Sequence, residues 1–296
     1  MLRELVATNV FVFTSELYAQ VTAGAILTPE GAIVIDTLPF PVETQEIVQF
    51  IEGRHGLPVK YVVNTHYHAD HTYGTSLFKN AQVVGHRLTR ELLDGPGREG
   101  LKAAQRTARE LASVEICLPE VVFDEGVMNL HLGGVTLQMW HMPGHSPDSI
   151  VCKVKGENIL FAADTVMPVP FFADGSWEDT VNSLESLRGG NYESIVQGHG
   201  EVILRGEIDA RLEEDLYYLH TIRRRVEEIV EAGEGPEALS TIDIEECGKS
   251  RIALNGIVQQ LHATNVEVLY RQLLAEREGT RPGQGQGVAR ENVEAG

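Results

Sequence analysis

Short apolar runs divided by turn residues fill the first two hundred positions of the chain, and longer helical stripes replace them afterwards. "NVFVFT" (Asn9 to Thr14) alternates Val and Phe and predicts a strand. "GAILTPEGAIVIDT" (Gly24 to Thr37) reads as a hairpin that turns at Pro29, Glu30 and Gly31. "PVETQEIVQFIEGRHG" spaces Val42, Ile47, Phe50 and Ile51 as an amphipathic helix does, with Gly53 near its end. "VKYVVN" (Val59 to Asn64) predicts the next strand, so a strand–helix–strand crossover is expected here. Residues 86 to 112 read as helix broken at "DGPG". Four more strands follow: "VTLQMWHM" (Val135 to Met142), "SIVCKV" (Ser149 to Val154), "NILFAADT" (Asn158 to Thr165) and "SIVQG" (Ser194 to Gly198). "SWEDTVNSLESLRG" (Ser176 to Gly189) predicts a helix between the last two.

From Glu207 the period lengthens. Leu212, Leu216, Leu219, Val226 and Ile229 recur at helical spacing with charges between them. A second helix, about Ser250 to Arg277, places Leu254, Ile257, Val258, Leu261, Val268, Leu269 and Leu273 on one stripe. The closing "GTRPGQGQGVARENVEAG" is Gly-rich, polar and without period, and reads as a disordered tail. The pattern divides the chain into 1–206, a helical extension at 207–277 and a tail at 278–296.

Composition narrows the partners. Of 296 residues, 43% are hydrophobic and 23% charged, enough to bury a substantial core. The net charge of −19 repels phosphate backbones, so no nucleic-acid partner is expected. The one basic run, Arg223 to Arg225, reads as a solvated helix face. No run of about eighteen apolar residues suggests a membrane span, and "MLRELVATNVFVFTSE", with Glu4, does not read as a signal peptide. Cys117, Cys152 and Cys247 lie far apart and are odd in number. They argue against a disulfide framework and for a reducing, cytoplasmic location.

One loop breaks the pattern. "NTHYHADHTYG" (Asn64 to Gly74) packs His66, His68, Asp70 and His71 just beyond a strand. On extended backbone, residues two apart project to one side, so His66 and His68 can grip one ion together. Asp70 and His71 can face a neighbouring position as the chain turns. Four such residues do not complete two metal spheres, because a catalytic zinc takes about three protein ligands and keeps a place for water. Other candidates share one placement, where an apolar strand runs out into a loop: Asp36, His145, Asp164 and His199. Any one of them alone is more often a turn residue; as a set they point to metal. His55, His86, His131, His141, His220 and His262 fall outside the pattern and read as surface or packing residues, and Asp148 reads as a turn carboxylate or as a residue orienting its loop.

The motif His66-x-His68-x-Asp70-His71, followed in order by His145, Asp164 and His199, resembles the metallo-β-lactamase superfamily over about Val6 to Gly200. The resemblance implies an α/β fold, a four-layer α/β/β/α sandwich with the site along one edge of two sheets. It implies that His66, His68 and His145 hold one metal, that Asp70, His71 and His199 hold a second, that Asp164 bridges both, and that Asp36 stands behind the ligands. The ions expected are two divalent metals, zinc first, with iron or manganese also suited to nitrogen and oxygen ligands. Two such cations lower the pKa of a bound water to about 7, and Asp70 would orient the hydroxide and take part in catalysis. No Gly-x-Ser-x-Gly elbow suggests a serine nucleophile instead.

The expected substrate is a small molecule: an ester, lactone or thioester, with a phosphodiester or phosphotriester as the alternative. The family's β-lactamases proper lack an aspartate at the position of Asp164, so antibiotic hydrolysis is implied only as a weak side activity. Its glyoxalase II branch usually carries Gly-Gly where Thr72 and Tyr73 stand. An iron-dependent persulfide dioxygenase is the redox rival. Met167, Phe171, Phe172 and Trp177 follow Asp164 closely, and either wall the substrate pocket or pack against the C-terminal helices.

Overall fold

The computed structural model describes residues 1–277, so the tail expected at 278–296 lies outside the described residues. Strands β1 (Leu2–Ala7), β2 (Val10–Thr14), β3 (Thr22–Thr28), β4 (Gly31–Ile35), β5 (Val59–Val63), β6 (Gln82–His86) and β7 (Val121–Phe123) lie side by side in chain order. Pairing is antiparallel up to β4 and parallel from β4 to β7. The switch is made by the expected crossover, in which α1 (Pro41–Val48) and a wide turn at Gln49–Arg54 return the chain to β5. The second sheet runs in the order β13, β12, β11, β10, β9, β8. Its strands are β8 (Val127–Leu132), β9 (Val135–His141), β10 (Ile150–Lys155), β11 (Ile159–Ala163), β12 (Ser194–Gln197) and β13 (Ile203–Leu204). Only β11 and β12 are parallel in it, among the described residues.

Alternation along the strands sets the layers. Ile33, Ile35 and Val63 of the first sheet meet Met139, Ile150 and Phe161 of the second in a core between the sheets. Val34 and Val62 point the other way, onto Ile47, Phe50 and Ile51. Central strand β4 is therefore buried on both faces, as its unbroken apolar run requires. On the far side, Leu160 and Ile195 pack on α5 (Trp177–Leu187), α6 (Ile208–Ala232) and α7 (Val258–Arg277) through Leu184, Leu219, Ile222 and Leu269. Helix, sheet, sheet and helix form the expected four-layer sandwich, and the C-terminal helices share a core with α5.

Strands β1, β6, β7, β8 and β13 are not marked out by the pattern, and two helical segments differ from its reading. Short helices α2 (Ala69–Thr72), α3 (Arg87–Leu92) and α4 (Arg98–Ala104) lie between β5 and β7. "DGPG" does not break the chain between α3 and α4; it widens one turn at Leu93–Gly97. Pro96 has no N–H for an ordinary helical bond, and the wider turn accommodates it. The last helix begins at Val258 rather than near Ser250, because Leu254 and Asn255 adopt left-handed backbone, with φ of 50° and 56°, and reverse the chain first.

The sheets are tied together at one end. Thr22 on β3 donates through its N–H to Gly198 O at 2.8 Å and through its hydroxyl to Gln197 O at 2.7 Å. Ile150 N–H donates to Thr65 O at 2.9 Å. At this edge the parallel strands β4, β5, β11 and β12 all end, and their outgoing loops converge. No helix among the described residues is long and apolar enough to cross a membrane.

Candidate metal centre

All seven side chains picked out as ligands arrive at that edge. Metal-binding atoms of His66, His68, His145 and Asp164 lie within 4.8 Å of one another, as do those of Asp70, His71 and His199. Asp164 stands between the groups: Oδ1 is 3.1 Å from His71 Nε2, and Oδ2 is 3.2 Å from His145 Nε2 and 3.4 Å from His199 Nε2. Asp70 Oδ2 is 3.4 Å from His199 Nε2 and 3.9 Å from His71 Nε2.

Local backbone explains the convergence. Asp36 and Ala163, at the ends of β4 and β11, have φ of 57° and 46°. So does the segment before β3, where Ala19 has φ of 43°. Left-handed backbone at residues with a Cβ is costly and gathers at functional sites. Gly144 (φ 148°) lets the chain before His145 pass Thr180, where a Cβ would strike helix backbone. Gly198 has no side chain because the Asp164 carboxylate occupies that space; a Cβ there would overlap Oδ1.

Each imidazole has one nitrogen held from behind. His71 Nδ1 donates to Asp36 Oδ2 at 2.9 Å, His145 Nδ1 to Phe171 O at 2.8 Å, and His199 Nδ1 to Ala19 O at 2.9 Å. His68 Nε2 donates to Asp174 Oδ2 at 3.0 Å, and Asp174 also accepts from the Tyr67 hydroxyl at 2.5 Å. His66 Nδ1 lies 3.1 Å from the Thr65 hydroxyl, which gives its own proton to Asp36 Oδ2 at 2.7 Å. Carboxylates and carbonyls have no proton to return, so the tautomers are set. Every inner nitrogen then offers a lone pair whenever its ring is neutral. Three of these meet closely: His68 Nδ1 is 3.1 Å from His66 Nε2 and 2.9 Å from His145 Nε2.

Lone pairs facing one another at such distances repel unless a cation lies among them. His71 Nε2 and Asp164 Oδ1 are buried and face each other at 3.1 Å, with no aligned hydrogen bond to any further group, so each has room for a further partner. The electrostatics agree. Burial holds His66 well below the usual imidazole range and pushes His145 down to about 4, leaving neutral donors. Burial acts the same way on His199, but Asp164 and Asp70 outweigh it and raise the imidazole to about 10. His71 is raised likewise by Asp164, Asp36 and Asp70 against its burial. Burial would raise Asp164 and Asp70; facing histidines outweigh it and hold both carboxyls well below their ordinary range. Neutral imidazoles on one side and proton-drawing carboxylates on the other both suit divalent cations, and these nitrogen and oxygen donors fit zinc, iron or manganese.

Asp36 stands behind the ligands, buried, with Oδ1 accepting from Thr65 N–H at 2.9 Å. The four residues proposed as an apolar wall separate. Phe171 keeps its ring 6.0 Å from that of His145. Met167 is buried, Phe172 lies in the core shared with α6 and α7, and Trp177 donates to Leu219 O at 3.0 Å while stacking under Arg223. Pattern reading missed Thr65, Asp174 and the carbonyls of Ala19 and Phe171. Only Asp174, an acid in the loop after Asp164, left a trace in the sequence.

The comparisons with known proteins agree with this geometry. The chain is 28% identical over 214 residues to a "Metallo-beta-lactamase type 2" of Bacillus cereus, covering 67% of this chain and 76% of that one. It superposes on a metallo-beta-lactamase from Pontibacter korlensis with a TM-score of 0.60 at 23% identity, over 74% of this chain and 98% of the other. On the inverting sec-alkylsulfatase Pisa1 from Pseudomonas sp. the TM-score is 0.72 at 15% identity, over 92% of this chain and 50% of that one. The chain spans about half the length of several other curated relatives it matches. The family model described as the metallo-beta-lactamase superfamily matches residues 19–199, and the chain belongs to that superfamily.

Proposed function

We propose that this protein is a hydrolase that uses two divalent ions, zinc in the first instance, to open a small carboxylic ester, lactone or thioester. The observation that carries the reading is the convergence of seven ligand-type side chains in two groups, with Asp164 between them. His66, His68 and His145 would hold one ion, Asp70, His71 and His199 the other, with Asp164 shared. Bound there, divalent ions supply an acidified water and a Lewis acid for the substrate carbonyl.

The chain's own residues account for the rest. Asp36, Phe171 O, Ala19 O and Asp174 fix the imidazoles, so no reorganisation is needed when charge develops. Asp70 is the most exposed of the seven and can orient the attacking water from the open side. Among the described residues no Lys or Arg side chain is paired with any of the seven. A neutral carbonyl needs no such partner, whereas an anionic phosphodiester would approach Asp70, the most exposed acid of the cluster. This favours acyl over phosphoryl substrates.

Elemental analysis of the purified full chain, followed by a screen over lactones, thioesters, phosphodiesters and β-lactams, tests the reading. Expected are about two equivalents of metal and chelator-sensitive turnover that is fastest on an acyl substrate. Fastest turnover of a phosphodiester would move the assignment to phosphoryl transfer. A single iron with consumption of a persulfide would replace hydrolysis by oxidation.

A further inference from the structure

The C-terminal helix α7 carries a fully buried amide, Asn265, that the apolar stripe of the sequence does not explain. Its carboxamide reaches one loop with both its oxygen and its nitrogen. Nδ2 donates to Pro170 O at 2.7 Å, and Oδ1 accepts from Phe172 N–H at 3.3 Å. The residue bracketed by these two bonds is Phe171, whose carbonyl accepts from His145 Nδ1 at 2.8 Å. Three residues further along, Asp174 accepts from His68 Nε2 at 3.0 Å. One short loop therefore aims two of the three histidines in the first group, and its backbone is pinned from a helix outside the ligand-bearing strands.

The pin is itself braced. Asn265 Nδ2 also donates to the Tyr218 hydroxyl at 3.2 Å. Tyr218 passes its proton toward His262 Nδ1 at 3.1 Å, and His262 Nε2 donates to Ile242 O at 2.8 Å. The donors run in one direction, which fixes the amide's orientation: NH2 toward Pro170 and oxygen toward Phe172.

We propose that Asn265 is a positioning residue for the metal centre, acting through the 170–174 loop on His145 and His68. The inference rests on the metal-dependent reading above only in taking the histidine cluster to hold an ion. Partners behind a ligand histidine commonly change metal affinity by about 10–100-fold, and here the partner of His145 is a backbone carbonyl that no substitution can remove. Its anchor can be removed.

The test compares Asn265→Leu with Tyr218→Phe in the full chain. Both delete hydrogen bonds from the same buried network, but only the first frees the loop. Zinc affinity is read by competition with a chromophoric chelator, and ligand geometry by the visible bands of the cobalt-loaded protein. Expected for N265L is a loss of zinc affinity of about tenfold or more with altered cobalt bands; Y218F should stay within about twofold of the parent with unchanged bands. Parental affinity and bands in N265L, or an equal loss in Y218F, overturn the proposal. Should N265L not fold, hydrogen exchange on the unaltered protein decides. By reciprocity, zinc must then increase protection of the Phe172 amide, and unchanged protection overturns the proposal. A parent that binds zinc but turns over no substrate would remove the hydrolase reading and leave this one standing.

Discussion

The first sheet delivers His66, His68, Asp70 and His71 from one continuous loop, whereas the second delivers His145, Asp164 and His199 from three separate strand ends. The means of holding them differ as well. Behind His71 and His66 sits a buried side chain, Asp36, which reaches one directly and the other through Thr65. Behind His145 and His199 stand only main-chain carbonyls, of Phe171 and Ala19. A carboxylate partner can be tuned by a single substitution. A carbonyl partner can be changed only by moving the segment that bears it, so its control lies in whatever anchors that segment. His66 and His71 are thus specified within the first sheet, whereas His68, held by Asp174, joins His145 and His199 in depending on segments outside it.

Three experiments bear on this contrast. The largest effect is expected from removing a candidate ligand outright: His68→Ala should lower zinc affinity by more than about a hundredfold, beyond the range of an outer partner, with circular dichroism of the fold retained. An active, fully loaded H68A would break the assignment of the loop.

Next comes pH, measured as urea stability of the metal-free protein. His145 is held down to about 4 by burial, so from pH 6.5 toward 4 the unfolded chain binds the proton and the folded one does not. Stability should fall across that window as pH drops, by ~3 kcal/mol from this group. His199 is shifted the other way, to about 10, by Asp164 and Asp70 against its burial. Its contribution is complete below pH 6.5 and is lost as pH rises toward 10. His145→Gln should flatten the acid limb and His199→Gln the alkaline limb; unchanged slopes in both would show that these neighbours do not act as described.

The smallest effect sharpens the contrast most. Asp36→Asn keeps one acceptor for Thr65 but sets an NH2 group against either His71 Nδ1–H or the Thr65 backbone N–H. Zinc affinity should fall about 10–100-fold with little change in the secondary-structure signal. No change would mean that His71 needs no carboxylate behind it.

The sequence showed the site unevenly, for reasons that follow the same division. His66, His68, Asp70 and His71 were legible because two-residue spacing on extended chain is a local signal. His145, Asp164 and His199 were legible only as polar residues at the ends of apolar runs, a signal that works as a set. Backbone carbonyls leave no mark in a sequence, so Ala19 and Phe171 could not be found. Met167, Phe172 and Trp177 left the pattern undecided because an apolar run fits a pocket wall and a helix-packing face equally well. The stripe on α7 was read from apolar residues alone. Its buried face also holds His262 and Asn265, which hydrophobic periodicity counts as solvent-facing. Strand β8 was missed although Met128, Leu130 and Leu132 alternate with more exposed neighbours; that signal was present and short.

Gly198 is buried, and the Asp164 carboxylate lies where its first side-chain carbon would stand. Adaptation of this scaffold to new chemistry is therefore free to vary the rim and closed at this point. Even alanine there would evict the acid that stands between the two groups, so a position with no side chain is bound as strictly as the seven that converge beside it.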